Sequence, residues 1–186
     1  MARQFVAVVP EGLAENGELT RLLSKMKRTL RDRETPVRWV APDLWHVTLH
    51  FLGEQPDGDE RLRNLLASWA PKSSDLRLRL QGVGAFPEPE AARVLWVGVQ
   101  ASQEFLNLQV ELGQRLREAC FAFEEREFRP HLTLARFRNP ISATDLIGLG
   151  GRKHFGDYPI GELVLFESFP QGNIIKYVPR FRQPLQ

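Results

Sequence analysis

Along the chain, short apolar runs alternate with longer stretches in which apolar residues recur every three or four positions. Phe5–Val9 is a Val-rich run of strand length, broken by Pro10 and Gly12. Leu19, Leu22, Leu23, Met26 and Leu30 then mark one face of a helix. Arg21, Lys25, Lys27 and Arg28 form its basic outer face, which reads as a solvated surface. Val37–Val40 is the next strand, and after a turn at Pro42-Asp43 another runs through His46 to Leu52. Asp57 and Glu60 form a capping box for a helix that turns Leu62, Leu65, Leu66 and Trp69 inward. Leu76–Leu80 alternates as a half-buried strand and leads on to Ala85-Phe86-Pro87.

The second half echoes the first. A strand at Val94–Val99 precedes a helix capped by Ser102 and striped by Phe105, Leu108, Leu112, Leu116 and Ala119. A strand from His131 through Phe137 follows, then a short helix around Ala143–Leu149. The strand Glu162–Phe166, ending in Ser168-Phe169-Pro170, and a last strand Ile174–Val178 complete the pattern. Val6 and Trp96 lie 90 residues apart, His46 and His131 85, and Phe86 and Phe169 83. Three landmarks at nearly one offset imply an internal duplication. The expected fold is α+β and bilobal, with two mainly antiparallel sheets, helices on the outer faces and a central cleft. No linker rich in Pro, Gly or Ser separates the halves, so residues 1–186 are expected to form a single two-lobed domain.

The duplicated strands carry the chemistry. His46-Val47-Thr48-Leu49 and His131-Leu132-Thr133-Leu134 share the pattern His-x-Thr-Leu in a chain of four histidines and six threonines. Two such matches by chance are on the order of a one-in-a-hundred event. On a strand, residues two apart share a face, so His46 with Thr48, and His131 with Thr133, face the cleft while the leucines pack inward. Each motif offers one titratable imidazole and one hydroxyl, a pairing suited to acid–base work on a phosphate. A lone His on a strand is more often structural, but two at matching places in a duplicated chain favour a site. Zinc is a poor reading, because no Cys or acidic ligand shares the repeated pattern. His50 and His154 have no counterpart in the repeat and read as structural or surface residues, although His50 has the parity of a cleft-edge residue.

Composition narrows the partners. The net charge of +2 is too small for a polycation that coats nucleic acid, so phosphate affinity must come from local basic groups. Arginine outnumbers lysine 20 to 5, which suits bidentate phosphate binding. Cys120 is alone, which excludes an intrachain disulfide, and at the end of an apolar-patterned helix it reads as a buried, inert thiol. The N-terminal apolar run is too short for a signal peptide, and no stretch approaches the ~20 apolar residues of a membrane span. A cytoplasmic monomer with no membrane partner is expected.

Arg38-Trp39-Val40 and Asp43 through Glu54 resemble the bacterial and archaeal RNA 2′,3′-cyclic phosphodiesterases, also called 2′-5′ RNA ligases, of the two-histidine phosphoesterase superfamily. So do Gly84-Ala85-Phe86-Pro87, Arg93-Val94-Leu95-Trp96, Phe128 through Arg136, and Tyr177 with Pro179. The likeness runs from Phe5 to about Phe181. It implies that both motifs line a central cleft and act without a metal or other cofactor. His46 would be the general acid and His131 the general base, with Thr48 and Thr133 holding phosphate oxygens. The substrate would be RNA ending in a 2′,3′-cyclic phosphate, opened to a 2′-phosphomonoester, with reversible 2′-5′ ligation when an RNA 5′-hydroxyl takes the place of water. The family's phosphate-binding arginine corresponds to Arg136, although simple alternation puts it on the face opposite His131, so a bulge or twist is required. Arg129 has the right parity but is cut off by Pro130. Phe5 and Tyr177 are candidates for stacking on a base. Two alternatives stay open: a non-catalytic module that binds RNA ends, and the same chemistry on a cyclic phosphate of a nucleotide or of ADP-ribose.

Overall fold

Local sequence signals start and stop the elements. In the computed structural model, which describes residues 3–33, 35–55, 59–69, 71, 76–171 and 174–185, the strand β1 (Arg3–Pro10) leads to α1 (Gly17–Arg31). Asn16 caps α1, its side chain accepting the Leu19 N–H at 2.7 Å, and the helix buries the predicted stripe Leu19, Leu22, Leu23, Met26 and Leu30. Next come β2 (Val37–Trp39), β3 (Val47–Gly53), α2 (Asp59–Ala67) and β4 (Arg77–Phe86). Asp57 of the expected capping box lies outside the described residues. Trp69 falls beyond the end of α2 but is buried as expected.

The second half runs β5 (Ala92–Gln100), α3 (Gln103–Glu118), β6 (His131–Ile141), α4 (Thr144–Gly150), β7 (His154–Gln171) and β8 (Ile174–Pro184). Ser102 caps α3 by accepting the Phe105 N–H at 3.2 Å. Cys120 departs from expectation. It is exposed and has a left-handed backbone (φ 59°) just past the helix end, a position that turns its side chain outward.

All eight strands belong to one antiparallel sheet system with two lobes. One lobe is ordered β3-β1-β7-β8 and the other β6-β5-β4-β7, with β2 on the free edge of β6. The long β7 serves both: residues from His154 to Pro159 pair with β4, and those from Ile160 onward pair with β1. A short bridge, Val47 to Leu132, joins the two motif strands. The pairing scheme repeats, β3 on β1 matching β6 on β5.

The lobes do not coincide with the halves of the sequence. The short turn after Phe86 sends β4 back as a hairpin on β5, so the last strand of the first half lies in the second motif's lobe. The counterpart of β4 in the second half, β7, joins the first motif's lobe in return through its pairing with β1. Register also refines the landmarks: the counterpart of Trp96 is Ala7, and that of Phe86 is Phe166 rather than Phe169.

The helices and the inward-facing residues of both lobes form the main core. A second, smaller cluster of Phe5, Ala7, Val164 and Phe166, with Val9 and Tyr177 against it, lies on the opposite face of β1 and β7. That face is the floor of the cleft.

Candidate active site

A bulge in each motif strand shapes the site. On β6, Trp96 pairs with Thr133 but its neighbour Leu95 pairs with Ala135, so Leu134 is the extra residue. Leu134 and Ala135 are both buried, and alternation then resumes in the other phase. The bulge brings Arg136 onto the face of His131 and Thr133, as the sequence required. On β3 the same device appears: Ala7 pairs with Thr48 and Val6 with His50, leaving Leu49 extra. His50 therefore turns off the face of Thr48 toward α3, although it still borders the cavity as a cleft-edge residue. Its Nε2 lies 2.9 Å from the Gln109 carbonyl of α3, and its ring meets Phe123 edge-on.

The two imidazoles are held alike. His46 Nδ1 is 2.7 Å from the carbonyl of Leu44, and His131 Nδ1 is 2.7 Å from the carbonyl of Arg129. A carbonyl only accepts, so Nδ1 carries the proton in the neutral ring and Nε2 is left as the titrating atom. Neither Nε2 has a hydrogen-bond partner among the described residues. Pro42 starts the short helical turn that ends at Leu44, and Pro130 precedes His131, so a proline sets the backbone beside each anchoring carbonyl.

Both rings rest on aromatic side chains. His46 packs on Phe5 (centroids 5.0 Å), Phe166 (5.4 Å) and the edge of Tyr177 (5.1 Å). His131 meets Phe86 edge-on at 5.0 Å and Trp96 at 6.3 Å. The strand exchange thus gives each motif a phenylalanine from the other half of the sequence.

Burial and charge set the protonation states. His46 is 9% exposed, and burial lowers its pKa to about 4, with the charges of Arg136 and His131 adding to the effect against the Leu44 carbonyl. His131 is lowered as well, first by burial and then by Arg136, against the Arg129 carbonyl. Arg136 therefore acts on both imidazoles. Its Nε is buried with no hydrogen-bond partner, a donor suited to an anionic oxygen.

These groups border a cavity of about 730 Å³ lined by Phe5, His46, Thr48, Arg129, His131, Arg136 and Tyr177 among others. Seven of the eight residues picked from the sequence thus meet there. Thr133 is half-buried on the face of His131 but is not among the lining residues. Phe5, at 3% exposure, is the floor of the cleft and offers no free face. Arg129 binds Glu127 through its guanidinium, and its carbonyl anchors His131. His154 pairs with Asp157 in the region where β7 pairs with β4, and it does not line the cavity.

Arg38 of the Arg38-Trp39-Val40 segment pairs with Arg136 across β2 and β6, but it is exposed and is not among the residues that line the cavity. Like charges placed opposite one another cost stability that an anion between them would offset. Among the described residues, no three His, Cys, Asp or Glu side chains cluster as metal ligands would.

The sequence profile of the 2′-5′ RNA ligase superfamily matches residues 21–164. The chain belongs to that superfamily. It is 30% identical to an RNA 2′,3′-cyclic phosphodiesterase of Methanothermobacter thermautotrophicus over 97% of this chain and 98% of the relative. The same-named protein of Archaeoglobus fulgidus is 31% identical, covering 94% and 96%. Among solved structures, TT0787 of Thermus thermophilus superposes with a TM-score of 0.76 at 26% identity, covering 98% of this chain and 97% of that one. E. coli LigT in complex with 3′-AMP, at 23% identity, a TM-score of 0.68 and coverage of 98% and 97%, shares the fold. No helix among the described residues is long and apolar enough to cross a membrane.

Proposed function

We propose that the chain is an RNA 2′,3′-cyclic phosphodiesterase that opens a terminal cyclic phosphate to a 2′-phosphomonoester. The observation that carries this reading is the pair of imidazoles, each with Nδ1 tied to a carbonyl and Nε2 free, around one cavity that also holds the unpartnered Arg136 Nε.

Neutral His131 accepts a proton from water as its oxygen attacks phosphorus. His46, protonated, donates to the departing 3′-oxygen from the other side, as in-line displacement demands. Arg136 and the hydroxyls of Thr48 and Thr133 stabilise the equatorial oxygens. In the free protein His46 is neutral, and the negative charge of the cyclic phosphate opposes both burial and Arg136, drawing a proton to it as substrate binds. With an RNA 5′-hydroxyl in place of water, the same sequence forms a 2′-5′ linkage, His131 taking the hydroxyl proton and His46 protonating the departing 3′-oxygen, and the two roles exchange only when that linkage is cleaved back to the cyclic phosphate. Both histidines come from one chain, which supports action as a monomer, and the lone exposed Cys120 suits a reducing cytoplasm.

The test is to incubate the protein and a chelator with an oligonucleotide ending in a 2′,3′-cyclic phosphate and to separate the products. The expected result is 2′-phosphate at the rate seen without chelator. Binding without turnover would favour an RNA-end module, and a 3′-phosphate product would reverse the side on which His46 acts.

A further inference from the structure

A second recess opens beyond His131 on the side away from His46. The sheet order runs from β3 through β6 and β5 to β4, and Gly98 of β5 is the register partner of His131, with Gln81 of β4 next in the row. Gln81, Gly82, Gly98, Val99, Gln100 and Arg152 line a recess of about 360 Å³ there. It lies on the cleft face of the second lobe, because Gly98 shares the face of Trp96, whose ring meets His131 at 6.3 Å. The duplication shows what keeps it open. Trp96 corresponds to Ala7, so Gly98 corresponds to Val9, whose side chain packs on the small apolar cluster of the first lobe. On β4 the bulge at Gly82 (φ 72°) brings the Gln81 carbonyl so close that a Cβ on Gly98 would stand 2.6 Å from it. No side chain fits at Gly98, and the floor stays bare.

The rim is polar. Arg152 is exposed and has no ion pair among the described residues. Its neighbour Lys153 pairs instead with Glu18, and Asp157 is held by Arg79 and His154. The Gln100 side chain has no partner among the described residues, and Gln81 commits only its amide nitrogen, to the Arg152 carbonyl at 3.4 Å. A free guanidinium and two amides thus border a recess with no carboxylate among its lining residues.

We propose that this recess is the subsite for an attacking alcohol, seating the 5′-hydroxyl nucleoside of an acceptor strand while Arg152 binds the phosphate that follows it. The inference rests on the proposed phosphodiesterase reading and assigns the nucleophile's side of that site. In-line displacement puts the nucleophile opposite the departing 3′-oxygen, hence on the side of His131. The sheet order puts the recess farther along that direction. A water molecule needs only about 30 Å³, far less than the space provided. As the acceptor's 5′-oxygen bonds to phosphorus, the bond from phosphorus to the 3′-oxygen breaks. The hydroxyl proton passes to His131, and His46 supplies one to the 3′-oxygen. An acceptor held in the recess competes with water in proportion to its occupancy. Its phosphate adds a charge-assisted contact that a bare nucleoside lacks.

The experiment opens a cyclic-phosphate-ended oligonucleotide in the presence of a 5′-hydroxyl dinucleotide or of the matching nucleoside, and reads the ratio of 2′-5′-linked to hydrolysed product. In the wild type the ratio is expected to saturate with dinucleotide concentration. At low acceptor concentration it is expected to exceed the ratio with nucleoside about tenfold, and Arg152→Gln is expected to remove most of that preference. A ratio that climbs without saturating, equal ratios for the two acceptors, or an unchanged preference in Arg152→Gln overturns the proposal and leaves the phosphodiesterase reading standing. Calorimetric titration of the dinucleotide alone separates the two readings. Binding that depends on Arg152 in a protein that opens no cyclic phosphate upholds the subsite and removes the phosphodiesterase reading, and the absence of both overturns both.

Discussion

Alanine at His46 or at His131 is expected to lower kcat about a thousandfold while changing KM far less, since a positioned acid or base contributes on the order of 10²–10⁴. Neither imidazole is replaceable by solvent. Water could reach the phosphorus without His131, but it would attack with its proton in place; without His46 the 3′-oxygen would leave as an alkoxide. The double variant is expected to lose little beyond either single one, because both groups act in one displacement. Steady-state rates on a cyclic-phosphate-ended oligonucleotide measure all three. Full activity in either single variant contradicts the pairing, and losses that multiply in the double variant contradict a shared step.

Replacing Arg136 by Met is expected to lower kcat/KM by about 10²–10³, the usual cost of removing one donor aimed at developing charge. The variant carries a second signature. The guanidinium disfavours the protonated form of both imidazoles, so its removal raises the pKa of each. The kcat/KM profile reports the free enzyme, where burial and Arg136 hold both groups below 6.5. Its optimum is accordingly expected on the acid side of 6.5 in the wild type and at higher pH in Arg136→Met. Burial, the larger cause, persists in the variant, so the move is partial. An optimum that stays in place while the rate falls would mean that Arg136 touches the phosphate but not the histidines.

The motifs were legible in the sequence because strand alternation has a fixed period, and His and Thr two apart must share a face. The bulges were only half legible. On β6 the adjacent Leu134 and Ala135 break the alternation of apolar residues, and the need to bring Arg136 round pointed the same way. On β3 the break is hidden, because a polar residue, His50, is buried while an apolar one, Phe51, is exposed. His50 was therefore assigned the parity of Thr48, and Phe51, which lines the cavity, went unnoticed. The helices were legible from their stripes, as in α1 and α3. The exchange of β4 and β7 between lobes was not, since pairing partners far apart in sequence leave no local trace. For the same reason Phe169 stood in for Phe166, and Phe5, buried under Phe51, was taken for a surface it supports.

The central claim is that the two imidazoles stand on opposite sides of one phosphorus and move protons, with neither forming a bond to it. A cyclic phosphorothioate end of known configuration, opened by the enzyme in ¹⁸O-water, tests this directly. A single in-line displacement by water predicts inversion at phosphorus. Retention would require two displacements through a phosphohistidine and would contradict the account.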